Sequence, residues 1–189
     1  MLTVFFDIGH GGRIVNGRFN QDPGATFESL REVDLVEAYV SRARSALRAQ
    51  GVSSVVLSYG PYYQRQAYAN SIAEKYPEEK FLYLACHVNA SDPPGDYALL
   101  LHDGRSKKGK ALAERIGFMF RAKTLGTTTE DWTKNAHETI DGIYQGPNNI
   151  SGLCFEPFFI NHPSSAEKCT EAGLQALGNQ LAAAILLLE

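Results

Sequence analysis

Leu2-Thr3-Val4-Phe5-Phe6-Asp7-Ile8-Gly9-His10-Gly11-Gly12 opens the chain, and its reading decides the fold. An apolar run rich in Val and Phe that breaks into glycines reads as a buried strand entering a tight turn. The turn delivers one imidazole, His10, to the end of that strand. In open α/β sheets ligands collect beyond the carboxyl ends of strands, so His10 stands where a site would form. A lone histidine there carries little weight. Its meaning depends on whether other ligand-type side chains arrive beside it.

Working outward, residues 13–25 read as a polar loop closed by Asp22-Pro23-Gly24-Ala25. Over residues 29–50 the apolar positions Leu30, Val33, Val36, Tyr39 and Val40 recur at three- and four-residue spacing, which predicts a helix stopped by Gly51. Residues 52–58 form a second strand, 64–76 a helix ending before Pro77, and 81–86 a third strand apolar enough to be buried on both faces. That third strand delivers His87-Val88-Asn89-Ala90. A turn at Asp92-Pro93-Pro94-Gly95 leads to a fourth strand over 97–101, then an amphipathic helix over 107–123 with Leu112, Ile116, Met119 and Phe120 inward. The segment 124–149 is the least regular, with a short strand expected at 140–144. Leu153-Cys154-Phe155 makes a last strand ending at Glu156, and Ser164 or Ser165 caps a final helix.

Strands alternate with helices, so the expected fold is α/β: one domain over 1–189, with a mostly parallel central sheet of about six strands flanked by helices on both faces. The length of 189 residues suits a single core, and 44% hydrophobic with 21% charged residues describes an ordinary globular chain. A net charge of −3 with no basic run excludes a nucleic-acid partner. Cys86, Cys154 and Cys169 are an odd, widely spaced set without a CxxC pair, which excludes a thiolate zinc knuckle; Cys86 and Cys154 read as small core residues. The closing run of residues 181–188 is far shorter than the ~20 residues a bilayer span needs and reads as the buried face of a terminal helix. No basic leader precedes the first strand, so synthesis in a cytoplasm is expected.

Three strand ends carry residues that bind metals or move protons: His10, His87 and Glu156. The first helix and its approach add Glu28, Glu32, Asp34 and Glu37. Two imidazoles and one carboxylate with a fourth position open is a common catalytic zinc arrangement, and a second carboxylate outside the ligand set serves as general base. Glu156 lies inside an apolar run, where a carboxylate must be paired or perturbed. Asp7 either caps a turn or orients His10, and a glutamate on an amphipathic helix, as Glu32 is, is by default solvated. Trp132 and Tyr144 read as core or lid residues. His102, His137 and His162 have no spacing that recommends them, and an HExxH signature is absent.

The motifs Asp7-Ile8-Gly9-His10-Gly11-Gly12, Asp22-Pro23-Gly24-Ala25, Glu32 in REVDL, Arg65 with Ala69-Asn70, His87-Val88-Asn89-Ala90 and Glu156 in FEPFFIN, in this order, resemble the zinc-dependent N-acetylmuramoyl-L-alanine amidases of bacterial cell-wall hydrolases and phage endolysins. The resemblance runs over nearly the whole chain. It implies one Zn2+ per chain held by His10, Glu32 and His87, with Glu156 as the catalytic carboxylate. Arg65 is implied for a stem-peptide carboxylate or a structural ion pair, and Asn89 for loop geometry. The implied reaction cleaves the amide between the lactyl group of N-acetylmuramic acid and the first L-alanine of the stem peptide. The implied partner is peptidoglycan, reached by a monomer with no membrane span and no separate wall-binding domain, through phage-lysin-like release or with a leader that this sequence lacks. Two other readings share these residues: a zinc carboxypeptidase acting on stem peptides, and a non-catalytic wall-binding module. Ile8 stands where the family usually has proline, which should change only the turn; Phe158 stands where the family usually has glycine after the glutamate and Pro157 stiffens the same turn, which together would reshape the substrate groove.

Overall fold

Register in the central sheet sets the position of everything else. A computed structural model describes residues 2–15 and 18–188. Its strands are β1 (Leu2–Val15), β2 (Arg18–Asp22), β3 (Thr26–Phe27), β4 (Leu30–Arg31), β5 (Ser53–Tyr59), β6 (Lys80–Cys86), β7 (Leu99–Asp103), β8 (Lys123–Thr127) and β9 (Ile150–Glu156). The helices are α1 (Glu32–Ala49), α2 (Tyr62–Lys75), α3 (Lys107–Phe120), α4 (Lys134–Glu138), α5 (Asp141–Tyr144) and α6 (Glu171–Leu186). Seven strands form the main sheet in the order β2-β1-β6-β9-β7-β8, with β5 alongside β1, while β3 and β4 pair separately. The pairings of β1 with β5 and β6, of β6 with β9 and of β7 with β8 are parallel; β2 on β1 and β7 on β9 are antiparallel.

The period of two along the strands divides the core between the two faces of the sheet. Val4, Phe6, Ile8, Leu82, Leu84, Cys86, Leu153 and Phe155 pack with α1, α3 and α6. Phe5, Phe81, Tyr83, Ala85, Leu99, Leu101 and Cys154 face the other way, toward α2, α4 and α5. Helices therefore flank both faces, as the alternation of elements predicts, and Cys86 and Cys154 are core residues. Among the described residues no helix is long and apolar enough to cross a membrane.

Four local expectations are corrected. The polar loop over 13–25 contains a hairpin, because β1 runs on to Val15 and pairs with β2; a ladder of backbone hydrogen bonds needs no apolar run to announce it. Asn16 and Gly17 of that stretch lie outside the described residues, as do Met1 and Glu189. At the start of the irregular 124–149 segment, β8 runs from Lys123 to Thr127 as an edge strand in which only Thr127 is buried, so it has no apolar signature. Residues 140–144 carry a helical turn, not a strand: Ile140 and Ile143, three apart, are both buried. The final helix starts at Glu171, where the Thr170 hydroxyl accepts from the Gly173 N–H at 3.1 Å; Ser164 and Ser165 belong to a separate 3-10 turn opened by Pro163.

Candidate metal centre and active site

The parallel pairing of β1, β6 and β9 ends level across the sheet, since Ile8 pairs with Cys86 and Cys86 with Phe155. His87 and Glu156 follow directly. His10 comes two residues after Ile8, and the extra length is taken up where the register of β1 on β5 shifts between Asp7 and Gly12. His10 (φ 67°) and Gly11 (φ 78°) both occupy the left-handed region, which turns the strand and swings the imidazole toward His87. The ring centroids of His10 and His87 are 5.2 Å apart. Gly9 permits the approach, because a Cβ there would stand 2.4 Å from His87 Cε1. The unusual backbone at His10 is anchored from both sides. Its N–H donates to the Tyr62 hydroxyl at 3.4 Å, and its carbonyl accepts from Arg65 Nη2 at 2.6 Å.

Glu32 opens α1 and is buried at 3% exposure, not solvated as a surface helix position would be. The positive end of the helix favours its carboxylate. Oε1 accepts from Val88 N–H at 3.0 Å and lies 2.9 Å from His87 Nδ1; Oε2 accepts from Ala25 N–H at 2.8 Å and lies 3.2 Å from His10 Nε2. Burial alone would push the Glu32 carboxyl up, but the hydrogen bonds and charges of His10 and His87 hold it well below the usual carboxylate range. Burial likewise opposes the charge on His10, and the Glu32 and Asp22 carboxylates outweigh it, lifting His10 to about 9. One ligand atom from each of His10, Glu32 and His87 lies within 4.8 Å of the others. His87 Nε2 is buried without a hydrogen-bond partner. Two imidazoles around one ionised carboxylate, with one ring nitrogen left over, suit a zinc ion. The other carboxylates considered from the sequence, Glu28, Asp34 and Glu37, are exposed.

Glu156 faces the same cleft, about 370 Å³, between the strand ends and α4. Burial pushes its carboxyl above the ordinary value, and the negative charge of Glu32 adds to this, against His87 and a hydrogen bond from Asn89. Asn89 donates its side-chain amide to Glu156 Oε2 while its backbone N–H donates to the Phe158 carbonyl at 2.9 Å. Asn89 thus fixes both the loop and the carboxylate. The floor is held from beneath by Tyr39, fully buried, whose hydroxyl donates to the His87 carbonyl at 3.1 Å. Tyr39→Phe leaves that carbonyl unpaired in the core, and a loss of about 1 kcal/mol in chemical denaturation is the expected result.

The supporting residues Asp7 and Arg65 pair with each other. Asp7 does not contact the His10 ring; it is fully buried and pairs with Arg65 and the Tyr83 hydroxyl. Arg65 spends its guanidinium on Asp7 and on the carbonyls of Ile8 (2.6 Å), His10 (2.6 Å) and Gly60 (2.8 Å), so the structural ion pair is the arrangement present. The carboxylate on His10 Nδ1 is Asp22, at 3.2 Å. Sequence spacing did not single it out, because the two meet only across the β1–β2 hairpin. Trp132 is 65% exposed, which removes it from the core, and Tyr144 lies under the Arg105 guanidinium at 4.2 Å. His137, without a recommending spacing in the sequence, groups with Asp103 and Asp141, but Arg105 bonds both carboxylates and supplies the cation there. Asn135, Ala136 and Glu138 of α4 and Thr139 just after it line the cleft; they come from the irregular segment and form its outer wall.

No protein-family model and no curated protein sequence matches the chain. Solved structures do. Cwp6 from Clostridium difficile is 22% identical over 97% of this chain with a TM-score of 0.72, and the chain spans 28% of the Cwp6 chain. The N-acetylmuramoyl-L-alanine amidase AmiC2 of Nostoc punctiforme is 17% identical, with 99% of this chain and 96% of that chain covered and a TM-score of 0.71. The N-acetylmuramyl-L-alanine amidase Ami1 from Mycobacterium smegmatis is 17% identical, with 98% and 95% covered and a TM-score of 0.74. The chain has the fold of these amidases, which is the fold its sequence resemblance implies.

Proposed function

We propose that this chain is a zinc-dependent N-acetylmuramoyl-L-alanine amidase acting on the bacterial cell wall. The observation that carries the reading is the convergence, on an amidase fold, of His10, Glu32 and His87 within ligand distance of one another and of Glu156 across the same cleft. His10, Glu32 and His87 would hold the zinc. When bound there, zinc polarises a carbonyl and lowers the pKa of water toward ~7. Glu156 accepts the proton of the attacking water and returns it to the leaving L-alanine nitrogen. A carboxyl held above its ordinary value by burial is suited to both halves of that transfer. Asn89 keeps the carboxylate aimed, and the β1 turn keeps His10 over the strand ends. All four residues come from one chain, so the site is complete in a monomer.

The engagement of Arg65 with Asp7 favours the amidase over a carboxypeptidase, which has to receive a terminal carboxylate on a cation. The test is product analysis of purified peptidoglycan digested by the protein. Newly exposed L-alanine amino groups, with no free C-terminal amino acid and complete loss on treatment with a chelator, are expected. Release of a C-terminal D-amino acid would point to the carboxypeptidase, and wall binding with no new amino group to a binding module.

A further inference from the structure

We infer that the turn over residues 22–25 is a positioning device for the metal centre, with Asp22 as the residue that sets the tautomer and aim of the His10 ring. The inference rests on the zinc reading proposed above and concerns how the chain prepares its ligands. Four residues make contact with two of the three ligands and with the helix that carries one of them. Asp22 Oδ1 accepts from Gly24 N–H at 3.0 Å, which holds the carboxylate still, and Oδ2 lies 3.2 Å from His10 Nδ1. A carboxylate on Nδ1 favours the tautomer with its proton there, leaving the Nε2 lone pair for a metal. Nε2 is the nitrogen that faces Glu32 Oε2, at 3.2 Å.

The same turn then fixes Glu32. Ala25 N–H donates to Glu32 Oε2 at 2.8 Å, the Ala25 carbonyl accepts from Glu32 N–H at 2.8 Å, and the Pro23 carbonyl accepts from Val33 N–H at 3.1 Å. The start of α1, left without a side-chain cap, is thereby tied to the turn. Between these contacts Gly24 sits at φ 68°, and a Cβ there would come within 2.6 Å of both Glu32 Oε2 and His10 Cδ2. The backbone of the turn thus lies directly against both ligands, so their relative position is set before any metal arrives.

The test is zinc affinity of the purified, metal-stripped chain, measured by competition with a chromophoric chelator, together with long-range 1H–15N spectra of the imidazoles. Asp22→Ala should weaken zinc binding about 10–100-fold, the usual effect of removing a partner behind a metal ligand. Asp22→Asn, the same size but with one acceptor oxygen in place of the two that serve Gly24 N–H and His10 Nδ1, should lose less than Asp22→Ala and should keep the Nδ1 proton in the spectrum. Glu114→Gln, on the exposed face of α3, should bind as wild type. Affinity of Asp22→Ala and Asp22→Asn within twofold of wild type overturns the inference, as does a zinc-loaded wild type whose His10 carries its proton on Nε2. A wild type that binds no zinc overturns the metal reading itself, and is distinguishable because it fails before any variant is compared.

Discussion

Glu156→Gln should yield a folded protein that binds zinc as wild type does and hydrolyses peptidoglycan ~10²–10⁴-fold more slowly, the range a positioned acid–base group contributes. In free-energy terms that is about 3–5 kcal/mol of transition-state stabilisation. The amide is the same size as the carboxyl it replaces and its oxygen can still accept from Asn89, so the geometry around the strand end survives. What is lost is only the capacity to take up and return a proton. The readouts are turnover on purified peptidoglycan, metal content and thermal melting of the same preparation. Activity within tenfold of wild type would remove Glu156 from the mechanism and leave the metal centre without its base.

Arg65→Met should be the most destabilising substitution near the site, by about 3–5 kcal/mol, because it strands a buried carboxylate. Asp7 is fully buried, and burial pushes its carboxyl up against the opposing pull of Arg65 and Tyr83. Without the guanidinium, three backbone carbonyls, those of Ile8, His10 and Gly60, also lose their donor. The turn that carries His10 then has nothing holding its carbonyl, so zinc affinity should fall together with stability. Urea denaturation of Arg65→Met, Asp7→Asn and the double variant provides the measurement. The double variant should be less destabilised than the sum of the singles, since the pair acts as a unit. A loss below 1 kcal/mol for Arg65→Met would show that the pair is not structural and would reopen a substrate role for Arg65.

The parts of this molecule that were legible in the sequence are those written in apolar periodicity and in turn residues. β1 opens on an apolar run, β6 is one and β9 carries Leu153-Cys154-Phe155, so these strands and the placing of His10, His87 and Glu156 at their ends are readable, while the order that sets the three ends side by side comes from the pairing of the strands. The hairpin of β1 with β2, the edge strand β8 and the short helices α4 and α5 were not legible, because backbone pairing and half-exposed turns leave no periodic trace. The supporting residues divide the same way. Glu32 could be placed on α1, but its burial depends on the turn over residues 22–25 folding back across the helix start, a contact no spacing rule encodes. Asp7 precedes the glycine turn, and the sequence leaves it either to cap that turn or to orient His10. A strand alternates its side chains between faces, and that alternation sends Asp7 to the α2 side, where Arg65 waits.

Zinc content per chain, measured on wild type and on His87→Ala, tests the central claim most directly. Wild type should carry one tightly held zinc, removed by chelator with loss of peptidoglycan hydrolysis and restored with it, and His87→Ala should carry none while remaining folded. A metal-free wild type that still hydrolyses peptidoglycan, or a His87→Ala protein that retains its zinc, would contradict the account.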